Sequence, residues 1–116
     1  MEWKIEYTDE FEEWWNTLNV DEQEAIGVSV GLLEKLGPSL PRPHSDTVKG
    51  SKFTNMKELR TQHAGEPYRT LYAFDPRRTA ILLIGGNKTG VKNWYTIYIP
   101  LADKIFTQHL KNIDEV

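Results

Sequence analysis

The chain has 116 residues, 39% hydrophobic and 27% charged, with no cysteine and a formal charge of −3, the length and balance of one globular domain over residues 1–116. Without cysteine there is neither a disulfide framework nor a thiolate metal site, no apolar run reaches the roughly 18 residues of a membrane-spanning helix, and the N-terminus lacks a signal-peptide pattern, so a cytoplasmic protein with no membrane partner is expected. The charge is unevenly placed: residues 1–36 carry ten acids against Lys4 and Lys35, whereas residues 37–98 carry ten cations against four acids, so the later part can meet an anion although the whole is acidic.

Residues 3–7 alternate bulky apolar and charged side chains, the pattern of a strand with one buried face. Thr8 can cap a helix starting at Asp9, with Phe11, Trp14, Trp15 and Leu18 at helical spacing and acids in the first turn. Asp21 with Glu24 has the spacing of a capping box, and Ala25, Val28, Leu32 and Leu36 continue an apolar stripe until Gly37-Pro38 ends it. Two helices in an antiparallel hairpin are expected to cover one face of a sheet. Residues 38–52 show no period and read as a loop that re-enters the sheet near Val48. Strands follow at 55–62, 68–74 and 79–84, joined by turns at 65–67 and 75–78, as an antiparallel meander. Residues 80–84 are apolar on both faces and read as the central strand. Gly85-Gly86-Asn87-Lys88-Thr89-Gly90 then breaks the strand, and Pro100 opens a last helix that turns Leu101, Ile105, Phe106 and Leu110 to the core. The order β-α-α-β-β-β-α predicts an α+β fold.

The histidines His44, His63 and His109 have no zinc-site spacing. The segment 85–90 departs from the G-x-x-x-x-G-K-[ST] order of a phosphate loop and reads as a tight turn of positive φ, with Lys88 at its tip. In the strand at 55–62, alternation sets Glu58 and Arg60 on the face opposite Leu59, and Arg69 on the next strand can lie near Arg60. Glu58 could pair with one arginine as a surface ion pair, but one carboxylate cannot neutralise two guanidinium groups, and the spare planar fork suits phosphate. His63, at a strand end, could act as an acid or base or be a solvated turn residue. Lys49, Lys52 and Lys57 could follow an RNA backbone or form a solvated face. Trp94, Tyr95 and Tyr98 could stack bases or belong to the core.

Taken as an ordered set, Met56-Lys-Glu-Leu-Arg60, Tyr68-Arg-Thr-Leu-Tyr-Ala-Phe-Asp-Pro-Arg-Arg78, Leu82-Leu-Ile-Gly-Gly-Asn-Lys-Thr-Gly90, Trp94-Tyr95 and Ile99-Pro100-Leu-Ala-Asp103 resemble the HigB-like, phage-derived branch of the RelE/ParE toxin superfamily. The likeness runs from the N-terminal strand to His109-Leu110. It implies a RelE-like fold, a small curved antiparallel sheet with a helical hairpin on one side and a basic concave face on the other. It also implies the toxin of a type II toxin–antitoxin system, a ribosome-dependent endonuclease that cuts messenger RNA without a cofactor and is silenced by a helix-turn-helix, HigA-like antitoxin. Carried over by motif position, Arg60 and Arg69 hold the phosphate, and Lys88 stabilises its charge or protonates the leaving oxygen. Lys57 favours ionisation of the attacking 2′-hydroxyl, although alternation sets it on the Leu59 face, and Tyr95 stacks on or orients the nucleotide. Lys49, Lys52, His63, Lys92 and Trp94 complete the expected RNA contacts. The alternatives within the resemblance are a ParE-like inhibitor of DNA gyrase and a catalytically inactive relative that binds an antitoxin.

Overall fold

A mixed five-stranded sheet organises residues 2–114, the part of the chain that the computed structural model describes. In chain order the elements are β1 (Ile5–Tyr7), α1 (Asp9–Asn16), α2 (Val20–Leu36), a 3-10 turn (Gly37–Ser39), β2 (Ser45–Thr47), β3 (Lys57–His63), β4 (Glu66–Phe74), β5 (Ala80–Asn87) and α3 (Trp94–Asp114). The strands lie in the order β1-β5-β4-β3-β2. β3, β4 and β5 form the expected antiparallel meander, and the loop after α2 does return to the sheet, as β2 alongside β3. The sheet is not wholly antiparallel: β1 runs parallel to β5. It occupies the edge of β5 that β4 leaves open, satisfying backbone groups that would otherwise be buried unpaired. None of the described helices is long and apolar enough to cross a membrane.

Thr8 caps α1 as its position suggests. Its hydroxyl accepts the Phe11 N–H at 3.1 Å and donates to the Leu83 carbonyl at 2.7 Å, so the same side chain ties the helix start to β5. The capping box of α2 is formed by Asn19 and Glu22 rather than by Asp21 and Glu24. The buried stripe of α2 is also rotated from the expected one: Ile26, Ser29 and Leu33 face the sheet, while Val28 is 68% exposed and Leu36 44%. A serine lies on the inner stripe because it has buried partners, accepting from Thr61 at 2.7 Å and donating to the Arg60 carbonyl at 3.3 Å. A reading of apolar period alone cannot count such a residue as core.

Both faces of the sheet are covered. Phe11, Leu33, Leu40, Leu59, Tyr72, Ala80 and Leu82 form the core under the hairpin. On the other face α3 packs Trp94, Ile99, Ala102, Ile105 and Phe106 onto Met56, Leu71, Ala73, Ile81 and Leu83, so the side expected to be a basic concave face is partly covered by this helix. α3 begins at Trp94, not at Pro100, and Leu101 points outward. The internal proline forfeits one helical hydrogen bond; burial of Trp94 and Ile99 outweighs it. β5 likewise continues through Gly85-Gly86-Asn87, and positive φ is confined to Gly90 within this segment. These two glycines are needed for close approach: a Cβ on Gly85 would overlap the Trp14 ring, and one on Gly86 would lie 2.7 Å from Trp94 Nε1.

The turn between β4 and β5 is tied down by Asp75, whose side chain is fully buried. It accepts from Arg77 Nε at 2.9 Å and Nη2 at 2.7 Å and lies 2.9 Å from His109 Nε2, while Arg77 Nη2 also reaches Glu6 at 2.8 Å. β1, the turn and α3 are thereby linked through Arg77 and Asp75, Glu6 binding the guanidinium and His109 the carboxylate. Burial raises the Asp75 carboxyl, but the His109 and Arg77 bonds and the backbone N–H groups of Thr79 and Arg77 more than offset it and hold it below the usual carboxylate range. A depressed folded-state value stabilises the fold above the unfolded value and ceases to do so as pH falls through the folded one. Asp75→Asn is therefore expected to cost roughly 1.5–3 kcal/mol near neutrality. The gap in urea midpoint between variant and wild type should shrink as pH drops below the usual carboxylate range; a gap independent of pH would contradict this account.

Candidate functional site

Arg60 of β3 and Arg69 of β4 are direct register partners across the meander. Like charges so placed repel, and the side chain that relieves them is Glu58, one pleat along β3 on the same face. The Glu58 side chain is only 6% exposed, with Oε2 3.2 Å from Arg60 Nη2 and Oε1 3.1 Å from Arg69 Nε. The Arg69 contact is a charge pair rather than an aligned hydrogen bond, since the buried Nε atoms of both arginines have no hydrogen-bond acceptor. Arg60 also reaches Asp46 of β2 at 3.4 Å, which Arg42 holds at 2.8 Å. Partial burial raises the Asp46 carboxyl, but the Thr47 N–H and the two arginines outweigh it and lower it overall.

The first turn of α3 brings a fourth element to this point. The Tyr95 hydroxyl donates to Glu58 Oε1 at 2.6 Å and accepts from Lys88 Nζ at 3.1 Å, with Nζ 4.6 Å from the centre of its ring. Tyr95 is placed by its neighbour: Trp94 is 2% exposed, meets Tyr95 edge-on at 5.2 Å and stacks on Tyr98 at 4.5 Å. Lys88 is placed by its N–H, which bonds the Pro67 carbonyl at 2.9 Å just before β4 continues into Arg69. Three cations, Arg42, Arg60 and Arg69, thus contact two carboxylates, and a fourth, Lys88, is joined to them through Tyr95. Such a cluster can accept a further anion, and its rim carries a phenol and an ammonium able to exchange protons.

Of the residues singled out from sequence, Arg60, Arg69, Lys88 and Tyr95 are brought together. Lys57 is not: it pairs with Tyr72 on the hairpin face, and the β3–β4 register runs unbroken from Lys57 to His63, so no bulge returns it to the arginines. His63 also lies on the hairpin side, its ring 6.3 Å from that of Tyr68. Trp94 is core and has no exposed ring to offer a base. Lys49 and Lys52 are exposed on the loop after β2, where Asp103 holds the Lys52 N–H at 3.0 Å and Lys52 Nζ lies 5.5 Å from the Phe53 ring. Lys92 is exposed in the turn before α3. The residues that sequence undervalued are Glu58, which is the hub, and Asp46. Alternation announced the Glu58–Arg60 neighbourhood, but nothing local announced Tyr95, 37 residues away. A separate apolar groove of about 520 Å³ between α1, α2 and β1, lined by Ile5, Tyr7, Phe11, Trp15, Val30 and Leu82, carries none of these groups.

Residues 13–107 match the family model described as phage derived protein Gp49-like. Two Mycobacterium tuberculosis proteins are similar to the chain. "Putative toxin HigB3" is 50% identical over 94 residues, covering 80% of this chain and 81% of that protein. "Putative toxin HigB2" is 42% identical over 104 residues, covering 88% of this chain and 52% of that protein, so the chain spans about half of the longer relative. Among solved structures, the Escherichia coli RelBE toxin-antitoxin complex matches with a TM-score of 0.55 at 10% identity, over 72% of this chain and 94% of that one. The archaeal RelE-RelB complex from Pyrococcus horikoshii matches with a TM-score of 0.55 at 14% identity, over 78% and 100%. At such identities the likeness establishes the fold alone, which agrees with the sheet and hairpin described above. The chain belongs to the Gp49-like family of phage-derived proteins and is a HigB-like toxin with the RelE fold.

Proposed function

We propose that this protein is the toxin of a type II toxin–antitoxin pair and cuts messenger RNA at the ribosome, by attack of a ribose 2′-hydroxyl on the adjacent phosphate. The observation that carries this reading is the cluster of Arg60, Arg69, Lys88 and Tyr95 around Glu58, which joins an anion site to proton-transferring groups. In the reaction, charge grows on the non-bridging oxygens of the phosphorane, and preorganised guanidinium groups stabilise it more than they stabilise the ground state. Arg60 and Arg69 serve this role, and the Lys88 ammonium protonates the departing 5′-oxygen. The relatives named as toxins and the neighbours solved with antitoxins support a cognate antitoxin for this chain. By resemblance to the HigB branch that antitoxin is a helix-turn-helix, HigA-like protein.

Mapping messenger 5′ ends after brief induction of the wild type and of Lys88→Ala tests this directly. New ends inside translated reading frames are expected with the wild type and should fall about a hundredfold or more in the variant, the lower end of the range for a lost proton donor being about 10²-fold. Growth arrest without new ends would overturn the nuclease reading in favour of gyrase inhibition. Neither arrest nor new ends would mark an inactive relative.

A further inference from the structure

Glu58 is nearly closed to solvent, so it cannot touch an incoming nucleotide, yet it takes the shortest hydrogen bond of the site. The two bonds at Tyr95 fix a direction. An ammonium has only protons to give and a carboxylate accepts, so the phenol proton points at Glu58 Oε1, 2.6 Å away, while Lys88 Nζ donates to the phenol oxygen from 3.1 Å. The groups facing Glu58 are Arg60 from β3, Arg69 from β4, Tyr95 from α3 and its register partner on β2, Asp46, which shares Arg60 with it; Lys88 stands behind Tyr95. Ion pairing with two arginines accounts for a carboxylate at this position. It does not account for a tyrosine bridging that carboxylate to a lysine.

We propose that Glu58, Tyr95 and Lys88 form a proton relay that both deprotonates the nucleophile and resets the site, with Glu58 acting through Tyr95 as a positioning and proton-storing residue. The proposal rests on the nuclease reading above. The 2′-oxygen forms its bond to phosphorus as the bond from phosphorus to the 5′-oxygen breaks, leaving a 2′,3′-cyclic phosphate. The 2′-hydroxyl proton passes to the Tyr95 oxygen as the phenol proton passes to Glu58 Oε1, and Lys88 gives one proton to the 5′-oxygen. The site is then a carboxylic acid and a neutral amine joined through one phenol. Transfer of one proton back along the same two hydrogen bonds restores carboxylate and ammonium, so a turnover takes up and releases no net proton. The phenol oxygen has a second lone pair for the 2′-hydroxyl, which must come within about 3 Å of it.

The test is single-turnover cleavage of messenger on programmed ribosomes by wild type, Glu58→Gln, Tyr95→Phe and the double variant, at several pH values. A relay that itself takes the 2′-hydroxyl proton during cleavage needs no hydroxide and leaves the wild-type single-turnover rate flat between about pH 6 and 8, whereas a site without it draws on hydroxide and its rate rises about tenfold per unit. Each single variant is expected to lose roughly 10²–10⁴-fold and to acquire that slope, with the double variant no slower than the slower single one. Tyr95→Phe keeps the ring and its packing, so it reports on the relay even if Glu58→Gln, which strands two arginines, unfolds. Flat profiles in the variants, or losses that multiply in the double variant, would overturn the relay while leaving the nuclease reading intact. Absence of cleavage by the wild type would overturn both.

Discussion

Arg69→Ala is expected to reduce single-turnover cleavage by about 10²–10³-fold, the usual consequence of removing one preorganised donor from a developing oxyanion. The substitution acts twice. Arg69 Nε lies 3.1 Å from Glu58 Oε1, and its side chain is 14% exposed against 6% for Glu58. Removing one partner of a buried pair leaves the other charge poorly compensated, at a cost of about 3–5 kcal/mol. Here Arg60 and Tyr95 still hold Glu58, so the loss should fall at the lower end of that range. The two effects separate in the double variant Arg69→Ala/Glu58→Gln, which should regain much of the urea midpoint and none of the cleavage. Arg69→Lys, which keeps the charge but not the planar fork, should lie between wild type and alanine. Wild-type cleavage by a folded Arg69→Ala protein would remove the arginine pair from the mechanism.

Trp94→Ala is expected to cost about 3–5 kcal/mol, as truncation of a buried aromatic side chain does. The indole is 2% exposed, stacks on Tyr98 at 4.5 Å, and packs with Ile99 and Phe106 against Leu71 and Leu83. It also seals the approach to Gly86, so its loss should free the start of α3 and with it Tyr95. The midpoint of urea unfolding should fall sharply, and cleavage should fall with it because Tyr95 no longer meets Glu58. A side chain that stacked on a base would behave otherwise, with an unchanged midpoint and weaker RNA binding alone. That outcome would show the indole to be available to ligand and the packing described for α3 to be mistaken.

Much of this architecture was legible along the chain because its causes are local. Thr8 reads as a cap because a hydroxyl before an acidic first turn meets an unpaired N–H. The meander reads from turn residues between apolar runs, and the two-residue period puts Glu58 with Arg60 and sends Lys57 to the other face. What the sequence could not decide are the features that depend on a distant partner. The inner stripe of α2 runs through Ser29 because Thr61 waits to bond it, and α3 starts before its proline because Trp94 finds a cavity over Gly86. β1 pairs with β5, in parallel, where that strand had an open edge to fill. Glu58 is an ordinary surface acid by its neighbours in sequence; it becomes a buried hub once β4 supplies Arg69 and α3 supplies Tyr95. Period and capping are set within a few residues, whereas burial and charge compensation are set by whatever the fold brings alongside, and it is the second kind that makes the site.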